Sequence, residues 1–405
     1  MSPQPRMDAI MSDPAADEPG VRPSGLATPV MIDEWDVDEW KALRGIIAVC
    51  LILLLIIATG IVFVMLNNWW SDEILGPGTY LTARQQTYSD LVQFSDIGYD
   101  GSGVLVCIVD SGIDLGHADL SHLQLVGWKD FINNRPSSYD DHGHGTMMAG
   151  LMVARGGLTG VATGVELLIA KALAKDGSGS DQAVADAIDW CAVQGADLIS
   201  LSLGGAPGIL PAAFGGDDAA AAASRAIDQG IFVIAAAGND GEEEEDEDVD
   251  SPCSEENVIC AGGVGIDGAS WSGSSKGDNG GQLFPWPRFA RQDPDKKPEL
   301  VGPADGVPVI ITSGSGAGGT SEAFYGIASG TSAATVYASS AIAILLEGRE
   351  DLSRNGSAGG DSDTVELVKQ WLMDTVKPQN GQQGHDEYYG YGLLQVQALL
   401  DEAGA

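Results

Sequence analysis

Residues 104–114 read VLVCIVDSGID: six apolar positions in a row, then Asp110, then a turn made from Ser111 and Gly112. An unbroken apolar run closed by a carboxylate and a glycine is the pattern of a strand buried on both faces. Half-exposed strands alternate instead. The same kind of segment recurs downstream as ELLIA at 166–170, DLISLSL at 197–203, IFVIAAA at 231–237 and NVICAGGV at 257–264. Between these strands lie helix-like stretches: one from Gly145, one through Ala183, Ala187, Ile188 and Cys191, and an alanine-rich one at 218–229. Strands and helices in alternation predict an α/β fold with a mostly parallel sheet flanked by helices. Glycines gather where the strands end, at Gly112, Gly143, Gly145, Gly204, Gly205 and Gly238. Open α/β sheets place their functional loops at those ends.

Upstream, residues 45–66 (GIIAVCLILLLIIATGIVFVML) carry no charge, and a helix of that length at about 1.5 Å per residue spans a hydrocarbon core of about 30 Å. The run begins far from Met1 and is followed by Asn67, Asn68, Trp69 and Trp70, which do not make a small-residue cleavage site. It therefore reads as one transmembrane helix. Lys41 and Arg44 precede it and the next basic residue is Arg84, so the expected topology is single-pass in the cell membrane, with a cytoplasmic N-terminus and residues 67–405 extracellular. Residues 1–44, rich in Pro, Ser and acidic side chains, read as a disordered acidic tail, 67–84 as a spacer, and 85–405 as one folded domain.

The formal charge of −38, with 58 acidic residues against 20 lysines and arginines, excludes nucleic acid as a partner. Such a surface suits a medium whose salt screens it, or draws in basic substrates. Of five cysteines, Cys50 lies in the apolar run, Cys107 in a buried strand and Cys191 in a helix; only Cys253 and Cys260 read as pairable, and the sequence leaves open whether they form a disulfide.

Three segments put a reactive side chain at a strand end or a helix start: IVDSGID around Asp110, DHGHGTMMAG around His144 and ASGTSAAT around Ser332. Singly, each has an ordinary structural reading, as a turn carboxylate, a structural histidine and a helix-capping serine. Together they supply the orienting carboxylate, the base and the nucleophile that acyl transfer from an amide requires. His142 competes for the base role, but only His144 is followed by Gly-Thr.

The order Asp, His, Ser, with SLSLGG at 200–205, AAAGND at 235–240, KPELVGP at 297–303 and YGYGLLQVQALL at 389–400, resembles the subtilisin-like serine proteases, the subtilases, over roughly residues 85–402. The resemblance implies a three-layer subtilisin-like fold and a serine endopeptidase acting on proteins or peptides through an acyl-enzyme on Ser332, with His144 as base and Asp110 orienting it. It also implies that Asn239 contributes to the oxyanion hole and that Ser202, Leu203, Gly204 and Gly205 form the edge along which substrate lies. Neither a metal nor a cofactor is required for that chemistry. An α/β-hydrolase esterase is a poor alternative, because Ser332 is not in a G-x-S-x-G elbow.

The chain departs from the family in several places. Ala333, Val336 and Tyr337 stand where subtilases carry a Met after the serine and a Pro in the next helix, and this leaves a catalytically impaired, subtilase-like surface binding module as the alternative. Asp119 matches one carboxylate of the family's usual calcium site, but the loop VARGGLTGVATG at 153–164 offers few further oxygen ligands, which argues against structural calcium there. The stretches GGQLFPWPRFARQDPDKK and SGSGAGGTSEAF read as expanded loops near the active-site face. After Asn239 comes DGEEEEDEDVD; attraction of an Arg or Lys side chain there is physically reasonable, but runs of like charge are usually solvated loops, and the run is read that way.

Overall fold

The computed structural model describes residues 37–74, 76–204, 217–242, 248–281, 289–312 and 324–405. Outside them lie most of the predicted tail, Gly205, the middle of the acidic run and much of both expanded loops, and the side chains of Trp69 and Trp70 are also undescribed. The chain forms two units, Met1–Leu66 and Asn67–Ala405.

Helix α1, Val37–Ile74, contains the apolar run, and its stretch Trp40–Phe63 is long and apolar enough to cross a membrane. The helix starts earlier and ends later than the uncharged segment, so residues 37–44 are helical and not part of a disordered tail. The reason is local. No glycine or proline interrupts 37–44, an Asp38–Lys41 pair at 2.9 Å supports the first turns, and the helix stops only before Gly76 and Pro77.

Helix α2, Thr79–Leu91, begins inside the stretch read as a spacer and docks on the folded domain: Arg84 Nη2 donates to the carbonyl of Asp305 at 2.8 Å, and the buried Tyr88 hydroxyl donates to the same oxygen. The sheet contains β1 Leu105–Asp110, β2 Gly127–Asp130, β3 Glu166–Lys171, β4 Leu198–Leu201, β5 Phe232–Ala236, β6 Ile259–Val264 and β7 Leu300–Pro303, in the order β2-β3-β1-β4-β5-β6-β7. Every pairing in it is parallel. A separate antiparallel pair joins β8 Val307–Ile310 to β9 Tyr325–Ala328. Helices α3 His144–Val153 and α6 Thr331–Gly348 pack together, α3 against β1 and α6 against β4 to β7; α4 Asp181–Gln194 and α5 Asp218–Ile227 form a second pair, on β1 and β3 and on β5. Helices α7 Ser362–Thr375 and α8 Val396–Ala403 complete the domain.

The elements form where the sequence places them for identifiable reasons. The Ser180 hydroxyl caps α4 by accepting from Ala183 N–H at 3.1 Å, Gly195 ends it at a φ of +89°, and Val184, Ala187, Ile188 and Cys191 line its buried face. That face rests on β1, so Cys191 meets Cys107 and the two form a disulfide with Cα atoms 5.8 Å apart. The reading that only Cys253 and Cys260 are pairable is thereby corrected; that pair also forms, and the crossover after β3 brings the other together.

The chain builds β2 and β3 on one side of β1 and β4 to β7 on the other. The crevice beyond β1 and β4 is therefore the topological switch point of the sheet, where open α/β folds bind their ligands.

Candidate active site

Asp110 is the last residue of β1 and fully buried. Its Oδ1 accepts from Ser111 N–H at 2.6 Å, and both carboxylate oxygens face His144 Nδ1, at 2.8 and 2.9 Å. His144 opens α3, and its side chain is 22% exposed at the crevice. Burial pulls the imidazole pKa down, but the charge and hydrogen bond of Asp110, with Asp140 behind it, outweigh that and hold it above 6.5.

The junction between strand and helix is held by a residue that motif reading missed. Asp140 accepts from Ser111 Oγ at 2.9 Å, from the N–H groups of His142 and Gly143 at 3.1 and 2.7 Å, and from Thr146 N–H and Oγ1 at 2.9 and 2.6 Å. Burial acts to raise its pKa, yet these donors leave it below the usual carboxylate value. Two glycines permit the close approach. A Cβ on Gly145 would sit 2.2 Å from the Gly112 carbonyl oxygen, and one on Gly112, whose φ is +121°, would sit 2.0 Å from that of Tyr139. Below them the buried Lys171 ammonium, at the end of β3, donates to the carbonyls of Ser111 and Leu173 and to Asp141. The Asp-Asp pair before His142 is the sequence signal that could have drawn attention to this support.

Ser332 lies in the first turn of α6, 7% exposed. Its hydroxyl donates to the Ser202 carbonyl at 3.1 Å, and the Ser202 hydroxyl donates to the Ser332 carbonyl at the same distance, joining the end of β4 to the start of α6. Asn239, just past β5, accepts through Oδ1 from Thr331 N–H at 2.9 Å. Ser332, His144, Asn239, Ser202, Leu203 and Gly204 all line one cavity of about 740 Å³ at the switch point. Of the candidate catalytic and substrate-binding residues, Gly205 alone lies outside the described chain. His142 also lines the cavity, with its ring centre 6.2 Å from that of His144, but Asp110 addresses His144.

The unusual residues after Ser332 sit inside the core: Ala333, Val336 and Tyr337 are 3%, 0% and 1% exposed, α6 runs unbroken, and Tyr337 packs edge-on against Phe94. Asp119 accepts from Gly157 N–H and Tyr325 OH through Oδ1, both at 2.9 Å, and from Leu158 N–H through Oδ2 at 3.0 Å.

The subtilase family model matches residues 101–392. The chain belongs to the subtilase family. This subtilase is 31% identical to subtilisin DY of Bacillus licheniformis over 304 residues, covering 74% of this chain and 92% of that protein. It is also 31% identical to subtilisin E of Bacillus subtilis over 305 residues, covering 74% of this chain and 66% of that protein. A shorter stretch of 113 residues is 41% identical to thermitase of Thermoactinomyces vulgaris, 27% of this chain and 40% of that one. Among solved structures, that of a cold-adapted subtilisin-like serine proteinase superposes with a TM-score of 0.55 at 22% identity, over 74% of this subtilase and 91% of that chain, and shares the fold. By family, this subtilase is a subtilisin-like serine endopeptidase.

Proposed function

We propose that this subtilase is a membrane-anchored endopeptidase that cleaves proteins or peptides with Ser332 as nucleophile, His144 as general base, Asp110 as its orienting carboxylate and Asn239 as an oxyanion donor. The observation that carries the reading is the two-oxygen contact of Asp110 with His144 Nδ1 in a cavity shared with Ser332 and Asn239. With Nδ1–H directed at Asp110, Nε2 is the basic nitrogen. The Ser332 hydroxyl turns about χ1 from the Ser202 carbonyl to Nε2, gives up its proton and attacks the scissile carbonyl. The oxyanion is met by Ser332 N–H and by the amide Nδ2 of Asn239, whose other end is held by Thr331. His144 then passes the proton to the leaving amine, and water hydrolyses the acyl-enzyme by the same route.

No step needs a cofactor. The oxygens of Asp119 are taken by N–H and O–H donors, a donor set that does not fit calcium. The extended segment 202–204 offers its backbone to a peptide laid along it. The charge asymmetry around α1 supports a single-pass protein with the protease domain outside the cell.

The test is full-length protein in detergent, offered casein and a fluorophosphonate, beside Ser332→Ala. Cleavage and labelling, both lost in the variant, are expected. A folded wild-type sample that neither cleaves nor is labelled would move the assignment to a binding module. Retention in carbonate-washed membranes and cleavage of a substrate added to intact cells test the anchoring and the topology.

A further inference from the structure

The turn at residues 304–306 joins β7 to β8 and lies between helix α2 and the approach to Ser332. On the α2 side, Arg84 spreads its guanidinium over two carbonyls of the turn: Nη2 donates to Asp305 at 2.8 Å, and Nε donates to Gly306. The Tyr88 hydroxyl donates to the Asp305 carbonyl as well, and the guanidinium carbon stands 5.4 Å from the centre of the Tyr88 ring. Gly306 has a φ of +66°, and a Cβ on it would lie 2.6 Å from Arg84 Nη2, so glycine is what lets the fork come this close.

On its other side the same turn holds residues 329 and 330. Gly306 N–H donates to Ser329 Oγ at 2.8 Å, Ser329 Oγ donates to Asp305 Oδ1 at 2.9 Å, and Gly330 N–H donates to the Ala304 carbonyl at 2.9 Å. From there the chain runs directly into α6, where Thr331 N–H donates to Asn239 Oδ1 and Ser332 follows. Asp305 is thus gripped by Arg84 through its carbonyl and grips Ser329 through its carboxylate. Removing the fork takes a donor from each of two carbonyls and frees the turn to shift, and residues 329 and 330 with it.

We propose that Arg84 is a positioning residue of the protease: its guanidinium fixes the turn at 304–306, and through Ser329 and Gly330 the turn sets where Ser332 and the amide of Asn239 stand. Helix α2 is then part of the catalytic unit. This rests on the assignment of Ser332 and Asn239 to catalysis. A misplacement of about 1 Å at the reacting atoms is enough to cost about 100-fold in rate. The planar fork of arginine suits two carbonyls in fixed geometry, whereas a lysine ammonium is a point donor on a flexible stem.

The experiment uses full-length protein in detergent as wild type, Arg84→Ala and Arg84→Lys, assayed in the cold on one peptide substrate. Reactive sites are counted by complete fluorophosphonate labelling, and the rate of that labelling is followed separately. Counting sites removes any unfolded fraction from kcat, so a residue that only stabilises the fold leaves kcat per labelled site unchanged. Arg84→Ala is expected to lower kcat per labelled site and the labelling rate together, by about 10- to 100-fold, with KM within about twofold of wild type, and Arg84→Lys to fall between the two. A wild-type kcat per labelled site in Arg84→Ala overturns the inference and leaves α2 as a brace. Where that variant yields no labelled enzyme, the same result in Arg84→Lys overturns it. A raised KM at unchanged kcat overturns it too, by placing the effect in substrate binding. Wild type that is neither labelled nor active overturns the assignment of Ser332, and this inference with it.

Discussion

At the scale of single residues, the proposed assignment of His144 as base makes the Asp110–His144 contact the feature expected to set how activity follows pH. The imidazole acts as a base only when neutral, so the rate rises as pH climbs through its pKa, which the two carboxylates hold above 6.5. The acid limb of kcat/KM is therefore expected to lie above 6.5. Asp110→Asn should move that limb down and lower kcat by about 10⁴-fold, since the amide neither stabilises the imidazolium nor fixes the tautomer. A pH–rate profile of both proteins checks the two statements together, and a limb unmoved by the substitution would separate Asp110 from the base. Asp140 acts one step further away, as a positioning residue. Asp140→Ala strands several buried donors at the start of α3, with an expected loss of about 2–4 kcal/mol in urea unfolding and of about 10- to 100-fold in kcat, while the acid limb stays close to that of wild type. The side chains proposed as reactive stand out in the sequence because each ends a strand or starts a helix in a short local motif, and the structure brings them to one cavity edge. Asp140 and Lys171 do not stand out, because the bonds they make depend on which distant backbone folds against them.

At the scale of elements, local pattern was a good guide to type and a poor one to partnership. The apolar runs that predict β1 and β3 to β6 are strands, and the periodic segment at 181–194 is a helix. Short β2 and the β8–β9 pair, of four residues each, carry too little pattern to stand out. The disulfide between β1 and α4 was hidden for a related reason: Cys107 and Cys191 look unrelated until the crossover lays the helix back on the sheet. Its cross-link spans 84 residues, so the chain-entropy model gives it about 4–5 kcal/mol of stability. The double variant Cys107→Ala, Cys191→Ala is expected to lose most of that in guanidinium unfolding. The Cys253–Cys260 link closes a separation of only 7, and its removal should cost less. Equal losses from the two would show that loop size is not what governs them.

Over the whole molecule, the charge of −38 works against compactness, because folding brings carboxylates closer together than the extended chain holds them. Three of the 20 cations do not offset this at the surface. Lys171, Lys297 and Lys369 are fully buried against Asp141, Glu299 and Asp295, and burial pushes the Lys297 ammonium down to about 8 even with Glu299 beside it. Pairs so enclosed are screened little by salt, whereas the exposed carboxylates are screened strongly as the Debye length falls from about 10 Å at 0.1 M to about 3 Å at 1 M. Added NaCl should thus remove repulsion without weakening the buried pairs, and raise the melting temperature of the protease domain. A screening effect acts most steeply at low ionic strength and flattens once the Debye length drops below the spacing of the charges, while exclusion of salt from the protein surface keeps growing with concentration. Thermal unfolding from 0.02 to 2 M NaCl separates the two. A rise of a few degrees that is mostly complete by about 0.5 M is expected, and a melting temperature that is flat or falling over that range would mean that the surface charge is not what limits stability.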